Sequence, residues 1–326
     1  MKEIVIGENQ AGQRFDKYLS KYLNEAPKSF LYKMLRKKNI TLNGKKATGS
    51  EKLKEQDIVR LFLSEETIDK FSQVKVERSH GKLSILYEDK HIAAVNKPSG
   101  MLSQKASGSD VSLVEYLTGY LLESGQMKEE DFRCFHPGIC NRLDRNTSGI
   151  VIAGKTLAGL QEMNEAFKLR SLKKEYLALV EGVVSSGAYL KGYLHKDEKC
   201  NKVVVEKEPF EGSVPIETEY RPLAGNQRVT LLNIHLVTGR SHQIRSHLAS
   251  IGHPVIGDGK YGSKKSNQLF CDSYGVKSQL LHAYRLTMPE LKGELNYLSH
   301  KVLTAPIPSD MKRVLEGEHI EESIHE

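Results

Sequence analysis

The first regular signal along the chain is helical. In RFDKYLSKYLN (14–24), Phe15, Tyr18, Leu19, Tyr22 and Leu23 fall at i, i+3, i+4, i+7 and i+8, which gathers them on one helix face. Ala26-Pro27 breaks the pattern. Ser29 then stands where a cap belongs, ahead of a second helix that turns Phe30, Leu31, Met34 and Leu35 inward. Lys33, Arg36 and Lys37, at i, i+3 and i+4, share its outward face. Asn43-Gly44 has the chemistry of a two-residue hairpin turn, and IVRLFL (58–63) reads as a short strand. These elements make a small unit over 12–64. Residues 65–80 are polar without sustained periodicity and read as a linker.

From about residue 81 the pattern changes to strands. LSILYED (83–89), HIAAVNKPSG (91–100), GIVIAGK (149–155), EYLALVEG (175–182) and RVTLLNIHLVTG (228–239) are β-branched or alternating, and each ends in turn residues. VSLVEYLTGYLLES (111–124) predicts a helix, and Thr156 is placed to cap another, LAGLQEMNEAFKLR. Strands outnumber helices without strict strand–helix alternation. The expected fold is α+β: the small unit, then a larger domain over 81–315 with a mainly antiparallel sheet and flanking helices. EGEHIEESIHE (316–326) holds five Glu and no Lys or Arg, and reads as a solvated, frayed tail.

Composition narrows the function classes. With 39% hydrophobic and 27% charged residues over 326 positions, the chain is neither disordered nor fibrous, and it contains no run of ~18 apolar residues that could cross a membrane. Charge near the N-terminus argues against a secretory signal, so a cytoplasmic location is expected. The net charge is +7, yet residues 14–60 alone carry 13 Lys and Arg against five Asp and Glu. That concentration favours an anionic partner, although a charged helix face is often only a solvated one. Cys134, Cys140, Cys200 and Cys271 lack the clustering of a disulfide framework or zinc ribbon, and are expected to be reduced thiols. GxGxxG and GxSxG are absent, Gly182-VVSS-Gly187 lacks the lysine of a phosphate-binding loop, and His242, His247 and His253 have no carboxylate at ligand spacing. No cofactor and no metal are therefore expected.

Three segments carry chemistry. In NRLDRNTSG (141–149), Asp144 lies between Arg142 and Arg145, cations that favour the ionised form needed for a nucleophile; a structural ion pair in a turn is the other reading. Thr147 and Ser148 can brace the loop by local bonds, and Gly149 permits close packing before the strand. In TGRSHQIRSHLASIGHPVIGDGKYG (238–262), Ser241 can cap a helix bearing Ile244, His247, Leu248 and Ile251, ended by Gly252. Arg245 borders its apolar face and needs a carboxylate partner, Asp144 or Asp258. Arg240, His242 and Gln243 surround the helix start, a favourable place for phosphate. In KKEYLALVEG (173–182), Tyr176 shares a strand face with Ala178 and Val180, as a core residue would.

HxxxxNRLDRNTSGIVIAGKT (136–156), KKEYLALVEG, TGRSHQIRSHLASIGHPVIGDGKYG and VNKPSGM (95–101) together resemble the motifs of pseudouridine synthases of the RluA group. The basic segment in front resembles an S4 RNA-binding domain, and the combined resemblance covers roughly 12–310. It implies that Asp144 is the catalytic aspartate, that Tyr176 packs on the target base and accepts the C5 proton, and that Arg245 pairs with the aspartate. It further implies that Arg142 helps extrude the nucleotide and that Leu281, in LLHAYRL, lies in the last active-site motif. Lys33, Arg36 and Lys37 would contact RNA. Asn141 and Asn146 depart from the family's usual His and Asp. The implied function is isomerisation of uridines in structured RNA by a monomer, with 23S rRNA as substrate. The alternatives are a tRNA-specific synthase of the family and an inactive ribosome-assembly RNA-binding protein. The reaction needs a nucleophilic carboxylate, an enclosed pocket and stacking partners for an unstacked base.

Overall fold

The computed structural model describes residues 1–73, 76–197 and 202–320. In chain order its elements are β1 (Lys2–Val5), α1 (Phe15–Tyr22), α2 (Lys28–Arg36), β2 (Ile40–Leu42), β3 (Lys45–Lys46), β4 (Ile58–Leu61), α3 (Glu65–Phe71), β5 (Ile85–Glu88), β6 (Ile92–Lys97), α4 (Leu113–Glu123) and β7 (Gly138–Ile139). They continue with β8 (Ser148–Gly154), α5 (Leu157–Lys168), β9 (Lys173–Glu181), β10 (Ala188–Asp197), β11 (Lys202–Glu206), β12 (Val214–Gly225), β13 (Val229–Leu236), α6 (Gln243–Ser250), α7 (Lys264–Tyr274), β14 (Leu281–Thr287), β15 (Val302–Thr304) and α8 (Ser309–Gly317). Internal packing divides the chain into two units. The first is Met1–Lys82 with Val114–Gly138 and Gly154–Gln161; the second is Leu83–Leu113, Ile139–Ala153 and the chain from Glu162 on.

In the first unit the helical periodicity buries what it predicts. Phe15, Tyr18, Leu19 and Tyr22 of α1 and Leu31, Met34 and Leu35 of α2 enter one core, while Lys33, Arg36 and Lys37 are exposed. Asn43 and Gly44 both take positive φ (51° and 73°), the turn that joins β2 to β3. The sheet order is β1-β4-β2-β3. Strand β1 brings this sheet's first residues ahead of position 12. Cys134 joins the same core, so segments beyond 64 complete it. Helix α2 starts at Lys28 directly after Pro27, whose ring pre-sets φ at −59°, and Ser29 therefore lies inside the first turn instead of capping it. The segment read as a linker opens with α3. Ser64 caps this helix by accepting from Thr67 N, and Glu65 and Glu66 suit its N-terminus; with Ile68 alone buried, it shows no periodicity. Thr156 caps α5 as expected, accepting from Gly159 N at 3.0 Å.

The second unit is built on a sheet of order β11-β10-β12-β13-β9-β14-β8-β6-β5, with β15 on β14 and β7 on β8. It is mainly antiparallel; the β14–β8 pair is parallel. Strand alternation sorts β9. Leu177 and Leu179 pack with Leu231, Phe270, Met311 and Val314 under α7 and α8, which leaves Tyr176 and Ala178 on the opposite face. Gly149 is required at the parallel junction, where φ is 111° and a Cβ would lie 2.2 Å from Ala283 O.

Three expectations change here. Helix α6 begins at Gln243, with His242 as its cap residue in a left-handed conformation, so Ser241 lies outside it; the Gln243 side chain, not Ser241, accepts from the loop's backbone, at Arg240 N. Thr147 and Ser148 brace the loop through distant partners, Gln279 and His282, instead of local backbone. The acidic tail is not frayed at its start. Glu318 is buried and accepts from Tyr274 Oη and Asn226 Nδ2, each at 2.9 Å, and Ile320 enters the α7–α8 core. Residues 321–326 and Cys200 lie outside the described residues; Cys134 and Cys271 are free thiols. Among the described residues no helix is long and apolar enough to cross a membrane.

Candidate active site

The site lies in the second unit and starts from one buried arginine. The GHPVIGD segment runs along the end of β9, with Val255 bridged to Val180 and Ile256 N donating to Leu179 O. Gly257 (φ 80°), where a Cβ would meet Ser278 O at 2.2 Å, lets the chain turn so that Asp258 faces α6. Asp258 is fully buried. Its Oδ2 accepts from Arg245 Nε at 2.7 Å and its Oδ1 from Nη2 at 2.8 Å, and Lys260 N and Tyr261 N also donate to Oδ1. Burial pushes this carboxyl's pKa up, but the Arg245 bonds and charge outweigh it and hold the group below the usual carboxylate range.

Arg245 has one nitrogen left for the site. Its Nη1 donates to Asp144 Oδ2 at 2.9 Å. Both candidate partners are therefore engaged at once, 13 and 101 residues away in sequence. The Asp144 side chain is 25% exposed, against 0% for Asp258, and its second oxygen has no hydrogen bond among the described residues. One carboxylate is thus sealed and bonded at both oxygens, while the other is held through one oxygen and keeps the second without a hydrogen bond among the described residues. The sequence neighbours do not supply the pairing cation: Arg145 Nε donates to Gly100 O, and Arg142 is exposed and unpartnered among the described residues. The Arg245 guanidinium also lies 5.2 Å from the Tyr261 ring, whose hydroxyl is 2.9 Å from His242 Nδ1.

Tyr176 occupies the β9 face opposite the α7–α8 core, across from Ile234 on β13 and Ala283 on β14. It is 8% exposed, and its hydroxyl makes no hydrogen bond among the described residues. Burial and then the Asp144 charge raise its pKa, so the phenol is neutral. Leu281 pairs with Ala178, two residues along from Tyr176, and is the diagonal neighbour on the same face. Tyr176 and Leu281 thus share one apolar wall, and the Asp144 charge acts on the tyrosine hydroxyl.

Lys97 carries no expectation from the sequence beyond its place in VNKPSGM. It is fully buried at the end of β6, and its Nζ donates to Pro98 O, Met101 O and Arg145 O at 2.8–3.0 Å, stitching the VNKPSGM turn to the Asp144 loop. Burial pulls its pKa down to about 7 against the opposing Asp144 charge. The sequence signal is a lysine at the end of a strand that opens with four apolar residues, 92–95. Asn141 locks the other end of the loop, donating to Ile150 O and accepting from Ile152 N.

The remaining expected site residues separate. Arg240 is exposed with no side-chain partner among the described residues. His242 is half-buried, and burial lowers its pKa although Asp144 opposes this. Gln243 does not face a substrate. It is 2% exposed, with its oxygen taken by Thr238 Oγ1 and Arg240 N and its nitrogen by Glu217 O and Thr218 Oγ1. His247 and His253 pair separately, with Thr218 Oγ1 and Glu181 O.

Comparison with known proteins fits this geometry. The family profile described as RNA pseudouridylate synthase matches residues 91–250, the span that holds Lys97, Asp144, Tyr176 and Arg245. The chain is 32% identical to ribosomal large subunit pseudouridine synthase C of Pasteurella multocida, over 97% of this chain and 93% of that one. It is 31% identical to the protein of that name from Escherichia coli, over 97% and 96%. The fold is similar to that of human RNA pseudouridylate synthase domain containing 4 (TM-score 0.59, 20% identity, 74% of this chain and 94% of that one). The chain belongs to the RNA pseudouridylate synthase family and is an RNA pseudouridine synthase.

Proposed function

We propose that this enzyme isomerises uridines of large-subunit ribosomal RNA, 23S rRNA in a bacterial cytoplasm, with Asp144 as its reactive carboxylate. The observation that carries the reading is the asymmetric pair on Arg245: a sealed Asp258 and a part-exposed Asp144 with one free oxygen. The names of the Pasteurella and Escherichia relatives support the choice of RNA. The basic first unit, an S4-type module on this reading, supplies phosphate contacts through Lys33, Arg36 and Lys37, which position the RNA without taking part in the chemistry.

In the reaction the N1–C1′ bond of uridine breaks, the uracil turns, C5 bonds to C1′, the C5 proton leaves and N1 gains one. Attack of Asp144 at C1′, its addition at C6, and its removal of a ribose proton toward a glycal all use the same ionised carboxylate. Arg245 orients that carboxylate through its Nη1 bond, and Asp258 offsets the other side of the guanidinium. Tyr176 and Leu281 form an apolar wall against the turned-out base, which keeps free uracil from escaping. A neutral phenol takes the C5 proton only while its own proton passes on, here to the Asp144 carboxylate released when C5 bonds to C1′, so Tyr176 serves as a relay and not as a stored base. Arg142, unpaired beside the Asp144 loop, fills the gap left in the RNA stack.

The test maps pseudouridines in ribosomal RNA and transfer RNA from cells with and without the gene. Loss at one or more large-subunit positions, restored by the wild-type gene and not by Asp144→Asn, is the expected result. Intact ribosomal RNA with pseudouridine lost from transfer RNA would overturn the substrate assignment.

A further inference from the structure

The cleft between α1 and α2 has the makings of a second recognition site, remote from the reactive carboxylate in sequence. Its cavity volume is about 260 Å³. Leu31 and Leu35 are buried and form an apolar floor, and Lys17 and Lys28 stand exposed on its rim. One wall is Tyr32. This ring is 47% exposed, yet its hydroxyl donates to Asp16 Oδ2 at 2.9 Å, and Asp16 is itself gripped by Arg14 through Nε (3.1 Å) and Nη2 (2.8 Å). The Arg14 and Tyr32 bonds hold the Asp16 carboxyl low, although burial opposes them, so it stays ionised and keeps the tether.

A surface aromatic held in one orientation above an apolar floor is a stacking platform whose ordering cost is already met. At about 260 Å³ the cleft has room for one planar ring. The lysine rim supplies the charge that a sugar-phosphate chain needs. We infer that this cleft receives the base of a single unpaired nucleotide of the RNA substrate, stacked on Tyr32 with its phosphate at Lys17 and Lys28. The inference rests on the first unit binding RNA, and it adds a preference for unpaired over helical RNA that exposed cations alone would not give.

The experiment measures binding of the full chain to a single-stranded RNA oligonucleotide and to a fully paired duplex of equal length, across a salt series. Tyr32→Ala is expected to weaken single-strand binding about tenfold, within the range typical for loss of a stacked base, while leaving duplex binding and the salt slope unchanged. Tyr32→Phe keeps the ring and should stay within about threefold of wild type. Tyr32 is exposed, so both variants should melt as wild type does. Replacing Lys33, Arg36 and Lys37 by Ala should weaken both probes and lower the salt slope. If Tyr32→Ala changes nothing, or weakens both probes equally, the nucleotide cleft is overturned. If the triple variant also leaves the salt slope untouched, RNA binding by the first unit fails with it.

Discussion

Arg245 offers a sharp test because its two carboxylate partners differ so much in exposure. Asp258 is 0% exposed and accepts two bonds from Arg245 and two from backbone N–H groups. Asp258→Ala strands all four donors and leaves a buried guanidinium half uncompensated. Removing one member of a buried pair costs about 3–5 kcal/mol, a large part of a typical stability of ~5–15 kcal/mol. For a domain of this size that is a fall in melting temperature of roughly 6–20 °C. Asp144 gives Arg245 a single bond from a side chain that water reaches, and Asp258 remains to hold the cation. Asp144→Ala should therefore cost no more than ~1 kcal/mol, within a few degrees of wild type. Activity should run the other way. The Asp144 variant retains its fold and loses turnover, whereas the Asp258 variant loses stability first. Calorimetry on both variants beside a pseudouridine assay on ribosomal RNA reads the two effects together. Equal melting shifts, or an Asp258→Ala protein as stable as wild type, would refute the division into a structural and a reactive carboxylate.

Asp144→Asn should leave less than ~1% of activity with RNA affinity nearly unchanged, measured by turnover and filter binding, because on the proposed reading Asp144 carries the chemical step while many phosphate contacts provide affinity. Tyr176→Phe should lower turnover at least ~10²-fold with an affinity change under ~3-fold; wild-type turnover would leave Tyr176 only as a wall of the pocket. Lys97→Met should reduce both activity and melting temperature, since three carbonyl oxygens of the Asp144 and VNKPSGM turns lose their donor. His247 and His282 are buried, and burial lowers the pKa of each to about 4. A group kept neutral in the fold stabilises it fully above the unfolded value of about 6.5, and that contribution is lost as pH falls toward 4. Denaturant midpoints should accordingly drop across that window, and His247→Asn should flatten part of the drop; a flat wild-type profile would contradict the burial of both rings.

What was legible beforehand is whatever local spacing encodes. Phe15, Tyr18, Leu19 and Tyr22 announce a helix because residues three and four apart share a face wherever the chain goes. Asn43-Gly44 marks a turn because few other pairs tolerate positive φ, and Arg245 demands an acid because a buried guanidinium cannot go unpaired. The alternation in β9 placed Tyr176 and Ala178 on one face, but which face meets the α7–α8 core depends on Phe270, Met311 and Val314 arriving from far along the chain. The long strands β10 and β12 leave little trace in the sequence because Tyr189, Lys191, Glu217 and Glu219 put polar or half-exposed side chains where a core strand would carry apolar ones. Most of all, tertiary structure decided the roles of charged groups. Arg142 and Arg145 flank Asp144 in sequence, yet neither pairs with it among the described residues, Arg145 donates to Gly100 O, and Arg245 arrives from 101 residues off. Gln243 looked available at a helix start until Thr238, Glu217 and Thr218 took up its amide. Residue type states what a polar group must find in a low-dielectric interior, whereas the path of the backbone determines which partner is within 3 Å, and periodicity carries no record of that path.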